Sequence, residues 1–204
     1  MPNWCNNSIT IKGSTETIKQ LWEDANQEGE DGGLLNAMVP MPEILRDTTS
    51  PTPDNIDSVQ REVMIAQTGH TNWYDWCVSN WGTKWDVSTE GLEFTDNGDG
   101  TAEITGWFDS AWSPPIDAYS AFCDDMDGVY LEAYYEEGGM CFVGYWDSEG
   151  ADDQYDYSGA TSDTVRNMIP EYLVDEYALD ERLAEYEEME EEEDEEVNLA
   201  PTGL

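Results

Sequence analysis

Asn72-Trp73-Tyr74-Asp75-Trp76-Cys77-Val78-Ser79-Asn80-Trp81-Gly82-Thr83-Lys84-Trp85-Asp86 holds four of the chain's nine tryptophans and one of its seven basic residues. Tyr74, Cys77, Val78 and Trp81 recur at i, i+3, i+4 and i+7, the period of one helix face. Gly82 is placed to end that helix in the left-handed conformation, and a strand is expected at Trp85. A helix, a glycine stop and a strand, all dense in aromatics, describe a packed joint between two layers rather than a solvent loop.

Upstream of the joint, Ser8 to Ile11 alternates polar and apolar as a strand does, and Gly13-Ser14 supplies a break and a helix cap. Ile18, Leu21, Trp22 and Ala25 then repeat with helical spacing, Glu16 sits in the first turn where the helix dipole favours an anion, and Gly29 closes the element. Leu34 to Pro42 is apolar and proline-bounded, a covering segment. Asp47 to Asn55 collects Thr, Ser, Pro and Asp and reads as a mobile loop. A helix from about Ile56 to Ala66 leads into the joint, so residues 32–81 form a helical insertion.

Downstream, Val87 to Phe94 and Thr101 to Trp112 read as strands joined across Asp96-Asn97-Gly98-Asp99-Gly100. An EF-hand register would put Gly106 where a bidentate glutamate is needed, which favours a plain turn over a calcium loop. Ser113 before Pro114-Pro115 is the expected cap of a second helix bearing Ile116, Tyr119, Phe122, Cys123 and Met126. Val129 to Glu137 and Met140 to Trp146 make a final hairpin about Gly138-Gly139. The order is the split βαβ of ferredoxin-like folds: an α+β sandwich over residues 1–160 with inserted helices and an extra C-terminal hairpin strand. The name denotes topology only, since the four cysteines lack iron–sulfur spacing.

Charge is the anomaly. Forty-seven acidic residues against seven Lys plus Arg give a net charge of −40, which argues against nucleic acid or an anionic membrane as a direct partner and favours a basic protein surface. No apolar run is long enough to span a bilayer, and Met1-Pro2-Asn3-Trp4-Cys5 lacks the features of a secretion signal, so a cytoplasmic location is expected. Cys5, Cys77, Cys123 and Cys141 include no C-x-x-C pair and read as buried thiols. His70 is the sole histidine, too few for a multi-histidine metal site, so neither metal nor cofactor is expected.

Residues 161–204 read as a separate acidic helical tail. Thr161 or Ser162 can cap a short helix that Pro170 interrupts, and Tyr172, Leu179, Leu183 and Tyr186 make a thin seam able to dock the first turns on the domain or a partner. Between Glu171 and Glu196 there are 15 acids and one basic residue, Arg182. Like charges at i, i+4 cost about 0.2–0.5 kcal/mol per pair, so Glu190 to Glu196 is expected to fray.

Six blocks, Met1 to Asn7, Leu34 to Pro42, Tyr74 to Cys77, Asn80 to Asp86, Ala111 to Pro115 and Tyr135 to Gly138, occur in an order that resembles the YubB-type family of ferredoxin-like proteins found on phages and plasmids. The resemblance spans Met1 to about Trp146. It implies this fold and a mobile-element origin, and it brings no catalytic residue. The extreme acidity and the acidic end depart from the family pattern.

Two candidate sites follow. The first is the acidic run Glu185, Glu187, Glu188, Glu190, Glu191, Glu192, Glu193, Asp194, Glu195 and Glu196, expected to meet a basic host protein. As a helix, Glu171 to Glu196 would carry one charge per about 2.6 Å, against about 1.7 Å for duplex DNA, so it can imitate nucleic acid in a basic groove. The competing explanation is acidity as adaptation to a salty cytoplasm. The second site is a small-ligand pocket built from Asn6, Trp81, Lys84, Trp85, Trp112 and Glu136, against which stands the ordinary role of such residues in cores, caps and ion pairs. The reading is a binding protein rather than an enzyme.

Overall fold

The computed structural model describes residues 3–29 and 32–199, with backbone alone for residues 190, 191 and 193–199. Six strands, β1 (Trp4–Ser14), β2 (Leu92–Asp96), β3 (Thr101–Ala111), β4 (Tyr130–Glu137), β5 (Phe142–Asp147) and β6 (Asp152–Asp156), form one sheet in the order β2-β3-β1-β4-β5-β6. Every pairing is antiparallel. The first four strands reproduce the ferredoxin-like order, and β5 and β6 extend it past β4. The expected hairpin strand is β5; β6 is additional. Its composition, Asp-Asp-Gln-Tyr-Asp, carries no apolar alternation, and as an edge strand it needs none.

Helices α1 (Thr15–Ala25) and α6 (Ile116–Asp125) are the two crossovers. Ser14 caps α1 by accepting from Thr17 N at 3.1 Å, as its sequence indicates. Ile18, Leu21 and Ala25 are buried against Ile9, Ile11, Ile104, Leu131 and Ala133 of the sheet. Residue alternation puts these sheet side chains on one face.

The insertion comprises α2 (Leu34–Met38), α3 (Glu43–Arg46), α4 (Ser58–Thr68) and α5 (Trp73–Asn80). Helix α5 stops where expected, with Gly82 at φ 82°. Its buried side chains are Trp76 and Cys77, with Trp81 just past its end, while Val78 of the expected face is 40% exposed. No strand forms at Trp85; β2 begins only at Leu92, because Trp85 to Val87 is drawn off the sheet to cover α2. The segment expected to be a mobile loop is tied down. Trp73 N donates to Thr48 Oγ1 at 2.9 Å, and Asn72 Nδ2 donates to Thr52 Oγ1 at 3.0 Å.

Ser113 does not cap α6. Its hydroxyl instead donates to Gly82 O at 2.6 Å, and Thr83 donates to Ala111 O at 2.8 Å, so the end of α5 is bonded to the β3–α6 turn. The tryptophan-rich stretch is therefore a joint, made by hydroxyls and backbone as well as by rings.

Helices α7 (Val165–Met168), α8 (Glu171–Tyr177) and α9 (Leu179–Leu199) complete the chain. Val165, Ile169, Leu173, Val174 and Leu179 form a second core with Val143 and Tyr157. Val143 pairs with Glu136, adjacent to Tyr135 of the first core, so this second core lies on the opposite face of the sheet. Burial of each such side chain contributes about 1.5–3 kcal/mol, so α7, α8 and the first turn of α9 belong to the folded domain. The expected boundary at residue 160 shifts C-terminally. Within the expected seam Leu179 and Leu183 dock on this second core, and Tyr172, though partly in solvent, sets its ring edge-on against Tyr134 and Tyr145, whereas Tyr186 is exposed. Helix α9 runs through Glu190 to Glu196, where fraying was expected.

Candidate functional site

The two blocks Leu34 to Pro42 and Asn80 to Asp86 meet at one carboxylate. Asp86 Oδ1 accepts from Leu35 N at 2.8 Å and from Val87 N at 2.7 Å, and Oδ2 accepts from Asn36 N at 2.9 Å. Asp86 thus caps α2 from 50 residues away, filling the role of an N-cap side chain that Gly33 lacks. A Cβ on Gly33 would strike the carboxylate. Burial raises the Asp86 pKa above the usual carboxylate value, and the three N–H donors pull it back.

Beside this cap lies an open cleft of about 390 Å³ lined by Met41, Trp73, Trp81, Lys84 and Trp85 among others. Trp81 is buried and donates from Nε1 to Val39 O at 2.9 Å. Lys84 Nζ lies 4.2 Å from the Trp85 ring centroid, 5.3 Å from that of Trp112 and 5.8 Å from that of Tyr74. Its charge is held by aromatic faces, and among the described residues it makes no ion pair. Burial pushes the Cys77 thiol up to about 12, so it stays protonated at neutral pH.

The structure brings Trp81, Lys84, Trp85 and Trp112 together, but not Asn6 and Glu136. Asn6 lies on the opposite sheet face, where its Nδ2 donates to Asp109 Oδ1 at 3.2 Å. Glu136 is buried under α9, bonded by Tyr157 Oη and paired with Arg182 at 3.2 Å. Both corrections have one cause: Asn6 and Glu136 occupy strand positions of the same parity, opposite each other in register, and alternation points them away from the cleft.

On the acidic segment, Glu185, Glu188 and Glu192 are exposed. Glu187 is instead engaged within the chain, accepting from Ser162 N at 2.9 Å and Ser162 Oγ at 2.7 Å, bonds that lower its pKa. The side chains of Glu190, Glu191, Glu193, Asp194, Glu195 and Glu196 lie outside the described residues. Arg166 bridges Asp175 at 2.9 Å and Asp180 at 2.8 Å, locking α7, α8 and α9 together and lowering the Asp180 pKa. Sequence reading passed over one further feature, the exposed tryptophans Trp4 and Trp107. The signal lay in Trp107-Phe108, adjacent aromatics on a strand that cannot both face one core.

Strand order, two crossover helices on one face and the extended hairpin define an α+β protein of the ferredoxin-like class. The model of the ferredoxin-like domain in Api92-like proteins matches residues 80–200, and the chain belongs to that family. Among solved structures it is similar to protein Api92 from Yersinia pseudotuberculosis, at 11% identity and a TM-score of 0.38, over 77% of this chain and 98% of that one. No curated protein matches the chain.

Proposed function

We propose that this protein is a non-enzymatic binding module whose ligand is a basic protein surface, with the exposed carboxylates of α9 as part of the contact. The observation that carries the reading is how little positive charge is left to offset the acids. Lys12, Lys19, Arg46, Arg166 and Arg182 each pair with a carboxylate of the chain itself. Against a net charge of −40, these contacts leave a field that attracts cationic partners and repels nucleic acid and anionic lipid. A phage- or plasmid-borne accessory protein working in a host cytoplasm is the setting suggested by the resemblance of its sequence blocks. There, a partner that ordinarily holds DNA would find in α9 a helix of comparable charge density.

The test is capture from bacterial lysate by the full chain, compared with a chain in which Glu185, Glu188, Glu190, Glu191, Glu192 and Glu193 are glutamine. The expected catch is a nucleic-acid-binding protein that is released by duplex DNA and by salt, and that the glutamine chain does not retain. Capture of no DNA-displaceable protein overturns the mimicry. A chain stopped at Pro170 is unsuitable, because it would uncover Val143 and Tyr157 of the second core.

A further inference from the structure

Helices α7–α9 cover β4 and β5 on the second sheet face and reach β1 through Tyr177, whose hydroxyl donates to Asn6 O at 3.4 Å, leaving the start of β1 and the end of β3 beyond them. There Trp4 is 52% exposed and Trp107 57% exposed. Register places Ser8 opposite Trp107 and Asn6 opposite Asp109, which sets an exposed carboxylate between the two indoles. Trp4, Trp107, Asp109 and Glu90 line a groove of about 360 Å³ that has no basic residue in its wall. Trp4 is backed by Trp85, the ring centroids 6.2 Å apart.

Two indoles left in water beside carboxylates are not explained by the fold. Neither ring belongs to either core. Exposed apolar surface of this kind marks interaction sites, and tryptophan is over-represented among the residues that dominate binding energy. Charge decides the occupant. A second copy of this chain would bring one net charge of −40 against another, whereas a cation is drawn in. Among cationic side chains, a guanidinium both stacks on an indole face and donates in a fork to a carboxylate; an ammonium matches only a point charge.

We propose that the groove between Trp4 and Trp107 is a docking site for an arginine side chain of a basic protein segment, with the guanidinium stacked on indole and hydrogen-bonded to Asp109. This inference rests on the basic-partner reading above and adds the place and the side chain. It also separates the protein's two contacts: α9 supplies long-range attraction, and the groove supplies the specific anchor.

The test uses the full chain and a hexa-arginine peptide, titrated by calorimetry at about 0.15 M salt, where exposed charges beyond roughly 8 Å are screened. Expected are shifts of the Trp4 and Trp107 indole N–H resonances, and an affinity about tenfold weaker in the Trp107→Ala/Asp109→Asn double variant. Both positions are exposed, so folding should persist; Asp109→Asn alone, nearly isosteric, gives a second reading with a smaller loss. Unchanged affinity in the double variant, with loss when the α9 glutamates are made glutamine, overturns the groove and leaves the basic-partner reading standing. No binding of the peptide by any form at this salt overturns both.

Discussion

Arg182 on α9 forks onto Glu136 on β4, Nη1 to Oε2 at 3.2 Å and Nη2 to Oε1 at 3.4 Å, and the glutamate side chain beneath is 7% exposed while that of the arginine is 37% exposed. Tyr157 donates to the same carboxylate. This pair fastens the acidic helix to the sheet at a point where a carboxylate alone would be strongly disfavoured.

Arg182→Ala is expected to cost about 3 kcal/mol, the lower end for breaking a buried pair because the arginine is partly solvated. The loss comes from the unpaired Glu136 charge, so adding Glu136→Gln should recover a large part of it. Urea unfolding of the two single variants and the double variant measures this. Equal stability of Arg182→Ala and the double variant would show that the pair is not what holds the helix.

Asp86 caps α2 with both oxygens, so Asp86→Ala should lower stability by about 1–2 kcal/mol, and Asp86→Asn by less, since the amide keeps one acceptor. The pH dependence has a definite sign. Burial raises the folded pKa of Asp86 above its unfolded value, so the native state binds the proton first. Wild type therefore gains stability relative to Asp86→Asn as pH falls through the window above the usual carboxylate value. Urea midpoints of the two proteins at pH 7 and at mildly acidic pH should diverge accordingly.

Gly144 on β5 has no room for a side chain: a Cβ there would land on the Tyr135 ring and the Asp153 carbonyl. Because Tyr135 is fully buried and the carbonyl is backbone, neither can give way cheaply. Gly144→Ala should cost about 3 kcal/mol, the upper range for overpacking, read as a lowered thermal midpoint. Gly159→Ala serves as a contrast, since its site is open and only its φ of 74° opposes the change.

Self-repulsion at a net charge of −40 is screened by salt, the Debye length shrinking from about 30 Å at 0.01 M to about 10 Å at 0.1 M. The thermal midpoint should therefore rise with sodium chloride over that range. A midpoint that falls or stays flat would mean the carboxylates are locally compensated after all.

In acid, the clasp around α7–α9 should loosen before the sheet does. Arg166 lowers the Asp180 pKa, and Ser162 lowers that of Glu187. Depressed carboxylates add stability above their unfolded pKa and lose it as pH falls through the folded one. Hydrogen exchange should show amides of residues 161–189 losing protection ahead of those of β1 and β3 as pH drops below the usual carboxylate range.

Local period and turn chemistry made much of this protein legible in advance. The alternation around Ile9 and Ile11, the Ser14 cap, the i, i+3, i+4 repeat of Ile18, Leu21 and Ala25 and the Gly82 stop each express a preference of a few neighbouring residues. Together they determined the strand and helix order, and hence the ferredoxin-like topology. The lysine scarcity and the acid count likewise determined the sign of the surface field.

What only the tertiary structure decided depends on partners far apart in the chain. Asp86 finds α2, Arg182 finds Glu136 and Leu173 finds Val143 because the sheet brings them together, and no local spacing encodes such pairings. The same holds for the candidate groove. Trp4 and Trp107 lie about a hundred residues apart and become neighbours only when β1 and β3 pair in one particular register, since a slip of one residue would turn the indoles to the other face.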